Sequence, residues 1–289
     1  MDLAPIVIAT GIVTGSFYAL VSVALQITYG SSRVLNFAQG ELVVAGMFFL
    51  YFIREVTGVH NPLSLLMVIP LGAALGVIFG LVAARPLLGR HFFQLALGTL
   101  SAGLALRGLY AMIFGTNILV VPPLISAKPV LIAGAFVSPQ GMLMVLGAVL
   151  TLGGLYFFFR FSWAGLAMRA TAENQEGAEV TGVEPRRILF WGFGLSGAVS
   201  ALAGALMAPV LGIRFDFGLN FMLFAFVAAV LGGLSSPLAA GVGGFILGMS
   251  VSVIAGTVGA RLQAVWLLLV LLPILYFRPH GVFGRVTHD

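Results

Sequence analysis

An all-α, polytopic membrane fold is predicted from three observations on the 289 residues. Hydrophobic residues make up 60% of the chain and charged ones 8%, where an ordinary globular domain carries about 25% charged residues. Mean hydropathy is +1.12. Apolar runs of about 20 residues, the length of one bilayer crossing, recur from end to end. This excludes a soluble enzyme or binding domain. It predicts a single transmembrane domain over residues 1–289, with about eight transmembrane helices, one or two broken or re-entrant segments and a possible internal repeat.

The elements follow in order. The first span, 5–28, is too long for a signal-peptide core and has no basic residue before Arg33, so it is expected to stay as a membrane helix. Residues 35–53, LNFAQGELVVAGMFFLYFI, are long enough to cross but hold Asn36, Gln39, Gly40 and Glu41 in their first third. A span at 62–84 stops at Arg85-Pro86, and 92–114 forms a helix with Arg107 inside it. The loop 115–138 has Lys128 as its only charge and is proline-rich. A span at 139–159 leads into the strongly charged loop 160–187, and further spans lie near 188–212, 219–234, 238–258 and 262–277, closing at Arg278-Pro279.

Orientation follows from arginine placement. Segments 85–91, 160–187 and 278–285 hold Arg85, Arg90, Arg160, Arg169, Arg186, Arg187, Arg278 and Arg285 and are expected to face the cytoplasm, opposite loop 115–138. The two halves look weakly alike, since FAQGELVVAG precedes Arg85 about as far as GLSSPLAAG precedes Arg278. Two topologies are open. A parallel match puts both termini in the cytoplasm and makes 35–53 re-entrant or broken; an outward N-terminus with a full crossing there explains the arginines equally well. Interrupted hydrophobic segments at matching positions point to a transport path. Its expected lining is Asn36, Gln39, Gly40, Glu41, Gly232, Gly233, Ser235 and Ser236, with the two segments packed against each other.

Glycines four apart, Gly72, Gly76 and Gly80, Gly11 with Gly15, and Gly244 with Gly248, suit close helix packing. Glu41 is the acid within a hydrophobic run, and such a charge needs water or a partner. It either lines a path or starts a helix at headgroup level, where the dipole favours it. Arg107 either pairs with it or snorkels. The charged loop, GLAMRATAENQEGAEVTGVEPRR over 165–187, is expected to form a short surface helix with small faces at Ala170 and Ala172 and a stop at Gly182. It is either a solvated linker or a docking element.

Catalysis has no footing. The single lysine, Lys128, is not in a phosphate-cradling loop, the histidines at 60, 91, 280 and 288 lack carboxylate neighbours at metal-ligand spacing, and no cysteine is present. No cofactor or metal is implied. The net charge of +5 forms no basic stripe interleaved with aromatics, so nucleic acid is not an expected partner.

Five motifs in order, LNFAQGELVVAG at 35–46, GLAMRATAENQEGAEVTGV at 165–183, SGAVSALAGAL at 196–206, VLGGLSSPLAAGVGGFILG at 230–248 and FRPHGVFG at 277–284, resemble the permease subunit of branched-chain amino acid ABC importers. The resemblance covers essentially the whole chain. It implies a multi-pass permease of the bacterial inner membrane, itself not an enzyme. Its implied partners are a second homologous permease subunit, two cytoplasmic ATPase subunits, a periplasmic substrate-binding protein and membrane lipid. It also implies that Arg169, Ala170, Ala172, Glu173, Asn174 and Gly182 belong to the segment that docks on an ATPase. The same family includes urea and short-amide permeases. A different class, an ion-coupled secondary transporter using Glu41, is the alternative from the residues alone.

Overall fold

The computed structural model describes residues 3–32, 35–59, 63–87, 90–132, 134–234 and 236–277. Arg33, His60, Ser235, Arg278, Arg285, His280, His288 and all of FRPHGVFG after Phe277 lie outside the described residues.

A backbone in hydrocarbon must satisfy its own polar groups, and the apolar runs accordingly form helices. They are α1 (Leu3–Ser32), α2 (Gln39–Thr57), α3 (Ser64–Phe79), α4 (Phe92–Phe114), α5 (Pro139–Phe161), α6 (Trp163–Glu173), α7 (Gln175–Val180), α8 (Pro185–Leu211), α9 (Gly218–Gly232), α10 (Pro237–Thr257) and α11 (Gln263–Phe277). Among the described residues six stretches are long and apolar enough to cross a membrane: α1, α3 with its continuation to Leu87, α4, α5, α8 and α10. α3 continues through a π-helical turn at Gly80–Ala84 and a 3-10 turn at Arg85–Leu87. α2 carries Glu41, Arg54 and Glu55, while α9 and α11 have 15 residues each, fewer than the roughly 20 a crossing needs.

The core is α1 and α8 with the helices laid against them. Gly15 of α1 meets Gly248 of α10, and Gly72 and Gly76 of α3 meet Gly197 of α8, backbone to backbone with no room for a side chain. The glycine spacing in the sequence therefore marks two real helix interfaces. Hydroxyls fasten the first: Thr10 Oγ1 lies 2.8 Å from Ser252 Oγ, and Ser22 Oγ donates to Ala240 O at 2.8 Å.

Loop 115–138 contains an antiparallel pair that the sequence did not announce, β1 (Val130–Ile132) with β2 (Ala135–Val137), in register Val130↔Val137, Leu131↔Phe136 and Ile132↔Ala135. Strands of three residues are too short to show alternation. The hairpin's Gly134 lies over Pro5 at the start of α1, whereas Ser31 and Gly30 at its other end lie beside Gly192 of α8 and Ala172 of α6. The beginning of α1 thus sits on the hairpin side, opposite the charged segment, so a layout with the start of the chain on the charged-loop side is not formed. The charged loop folds as two helices, α6 and α7, rather than one.

Candidate functional site

Residues 35–38 lead directly into the start of α2. Asn36 shapes this entrance: its Oδ1 accepts from Ala38 N at 3.0 Å, and its carbonyl accepts from Gln39 N at 3.1 Å. The polar residues expected to break a helix instead begin one. Gln39 Nε2 donates to Ser196 Oγ at 3.0 Å and to Ser200 Oγ, Asn36 Nδ2 donates to Gln39 Oε1 at 3.3 Å, and Thr28 Oγ1 donates to Ser196 Oγ at 2.8 Å. These five side chains, all fully buried, tie α1, α2 and α8 together.

One turn on, Gly40 lies against Gly218 and Met222 of α9, and the Glu41 carboxylate lies on Gly218 itself. A side chain at either glycine would collide with that neighbour. Two helix starts, α2 and α9, therefore converge on one carboxylate, and the positive ends of both helix dipoles suit a negative group there. Neither helix start has a hydrogen bond from its capping side chain. Glu41 is 5% exposed, and its Oε2 has no hydrogen-bond partner. Tyr110 Oη donates to the Glu41 carbonyl at 3.2 Å. Glu41 is thus an acid in the first turn of α2 and buried within the protein.

Arg107 forms no ion pair with Glu41; its guanidinium lies 5.4 Å from the Phe215 ring centroid. Beside it, Arg214 grips Asp216 in a two-pronged pair at 2.9 and 2.6 Å. Leu119 and Ile213 exchange backbone bonds of 3.1 and 2.8 Å, fixing the long loop to the turn after α8. Buried Arg54, in the last turn of α2, donates to Pro122 O in the same loop.

The second interrupted segment does not meet the first. Gly40 and Glu41 touch the beginning of α9, and Gly232 is its last residue, so about 22 Å of helix separates them. The sequence symmetry said nothing about which helix stands between. Gly232 packs on Ala239 and Ala240 instead. Gly233, at φ 99°, turns the chain, and Ser236 Oγ accepts from Ala239 N at 3.2 Å to cap α10. Ser235 lies outside the described residues.

Ser236 opens onto a cavity of about 410 Å³ bounded by α1, α5, α6 and α10. Arg169, Ala172 and Glu173 line the same cavity. Ala170 is half-buried, Asn174 and Gly182 are exposed. Asn174 Oδ1 accepts from Gly177 N at 2.9 Å to start α7. Gly182, at φ 89°, ends the segment, with Gly182 N donating to Glu179 O and Val183 N to Ala178 O, both at 3.0 Å, a glycine helix stop of the Schellman kind. Among the described residues no group of three His, Asp or Glu is placed to hold a metal ion.

The residues that sequence reasoning missed are the partners: Thr28, Ser196, Ser200 and Gly218. A signal existed for two of them, since Ser196 and Ser200 are four apart on an apolar helix and so share one face.

The comparisons with known proteins agree across nearly the whole length. Residues 7–277 match the family model for the branched-chain amino acid transport system, permease component. The chain is 27% identical to the high-affinity branched-chain amino acid transport system permease protein BraD of Pseudomonas aeruginosa, covering 96% of this chain and 95% of that protein. It is 26% identical to the corresponding LivH of Escherichia coli K12, covering 95% and 94%. It is 27% identical to the probable branched-chain amino acid transport permease LivH of Methanocaldococcus jannaschii, covering 94% and 90%. No solved structure matches.

Proposed function

The chain belongs to the branched-chain amino acid transport system permease family, and we propose from this that it forms one wall of the translocation path of an ABC importer for leucine, isoleucine and valine in the cell membrane. The carrying observation is the meeting of the α2 and α9 starts around buried Glu41, with one carboxylate oxygen unbonded. Irregular backbone and unpaired polar groups at membrane depth are tolerated only where protein or a water-filled cavity serves them. Helix starts facing a midplane site are how membrane transporters hold small charged solutes.

In this reading Asn36, Gln39, Gly40 and Glu41 form the central constriction, and Gly232, Gly233, Ser235 and Ser236 form the inward end of the same path. A second homologous permease completes the channel, a substrate-binding protein delivers solute on the hairpin side, and two ATPase subunits dock on the charged-loop side. Arg169, Ala170, Ala172, Glu173, Asn174 and Gly182 belong to the docking segment over 160–187, all within one transmembrane domain of about eight crossings. The exchange of partners, with α1 on α10 and α8 on α3 through glycines, supports two repeats of inverted sense, since α1 and α8 run in opposite directions.

Reconstitution with the partner subunits tests this. ATP-dependent uptake of leucine, isoleucine and valine by the complete transporter is expected; uptake of urea, short amides or sugars in their place overturns the substrate, and uptake driven by an ion gradient without ATP overturns the class. The family match leaves the ion-coupled alternative without support.

A further inference from the structure

We propose that the cavity at the charged-loop end of α1 is a second, inward-facing site for an apolar α-amino acid, through which accumulated product restrains the docking segment. It rests on the importer reading above. The volume, about 410 Å³, falls within the roughly 300–1,000 Å³ of small-molecule sites.

The chemistry of the walls selects the ligand. Deep in the cavity Gln26 is 4% exposed; its Nε2 donates to Leu234 O at 3.3 Å, and its Oε1 has no partner. A buried acceptor left bare is a demand for an N–H or O–H donor. At the rim stand two cations, Arg160 and Arg169, and one anion, Glu173. Arg160 is held there by ring faces, 6.0 Å from the Tyr156 centroid and 5.7 Å from that of Phe161. The remaining wall is apolar, including Val23, Ile27, Leu155 and Met168.

A zwitterion with a branched hydrocarbon side chain matches all three regions. Its carboxylate meets the arginines in charge-assisted hydrogen bonds. Its ammonium reaches Glu173 and the bare oxygen of Gln26, and its side chain lies on the apolar wall. A phospholipid matches less well, because an acyl chain would cover the Gln26 oxygen without donating to it and Glu173 would oppose the phosphate.

The consequence is mechanical. Arg169 and Glu173 are on α6, Gln26 is on α1 and Ser236 starts α10, so an occupant joins the docking helix to two core helices. A ligand that binds one arrangement of these helices opposes the movement that ATP hydrolysis must drive.

The test uses the complete transporter in proteoliposomes, loaded inside with leucine or with an inert solute. Internal leucine is expected to slow initial ATP-driven uptake by about fivefold or more, the low end of ordinary coupling between sites. Gln26→Leu and Tyr156→Leu, the second removing a ring that holds Arg160 in place, are expected to transport normally into empty vesicles and to lose that inhibition. Tyr156 is exposed, so its replacement does not endanger folding. Full-rate uptake by the unaltered transporter against internal leucine overturns the site, as does equal inhibition in both variants. So does tightly held phospholipid that is released by Gln26→Leu while leucine has no effect. If empty vesicles take up no branched-chain amino acid at all, the importer reading itself has failed, a result distinct from uptake that internal leucine leaves unchanged.

Discussion

Residues 36–41 and 232–236 carry the same sequence signal, small and polar residues interrupting an apolar run, and the fold uses them in opposite ways. The first is sealed: Asn36 is consumed in hydrogen bonds to Gln39 and Ala38, Gln39 in further bonds to Ser196 and Ser200, and Gly40 is pressed against backbone. The second turns through a left-handed glycine, Gly233, and ends on Ser236 beside a cavity. The difference shows that a break in hydrophobicity marks where polar groups are needed, while neighbouring helices decide whether they hold the structure or face open space.

The largest effect is expected where the seal is tightest. Gly40→Val forces a side chain into the carbonyl of Gly218 and should cost about 3 kcal/mol, the upper range for overpacking, seen as a sharply lowered melting temperature of the purified complex. An unchanged melt would mean that the first segment is as open as the second. Next, Gln39→Leu takes from Ser200 its donor and from the Asn36 amide its acceptor and should cost about 2 kcal/mol while abolishing uptake; retained uptake would remove Gln39 from the path. Ser236→Ala deletes only the α10 cap, a loss of about 1 kcal/mol, and should leave uptake nearly intact. Loss of transport there would make the second segment the critical one.

The least perturbing experiment uses the absence of native cysteine. A cysteine at 236 should react with a water-soluble thiol reagent on the charged-loop side without nucleotide, and cysteines at 39 and 41 only during ATP turnover. Equal reaction at all three positions in every state would erase the contrast between the segments. Complete protection of 39 and 41 during turnover would assign them to packing alone.

What the sequence revealed was local. The span at 92–114 is the helix Phe92–Phe114, and the glycines at 72, 76, 80, 15 and 248 lie at helix contacts because a four-residue period defines a face whatever the partner. Gly182 stops its helix as its residue type suggests. The missing information was long-range. Gln39 is 157 residues from Ser196, and nothing in either segment names the other. The same holds for α9, whose 15 residues, apolar apart from Asn220, give no hint that its start rests on Glu41. The outcome at Arg107 was likewise decided by Phe215, a residue without charge.

α1 has 30 residues and is therefore about 45 Å long, against a hydrocarbon layer of about 30 Å. One end lies under the hairpin and the other beside α6. A single stiff element that touches both faces works like a pushrod: what displaces one end is felt at the other, and free-energy coupling has no preferred direction. In the importer reading proposed above, a binding protein settling on the hairpin side and ATPases closing on the charged-loop side would each be felt at the opposite end of this rod.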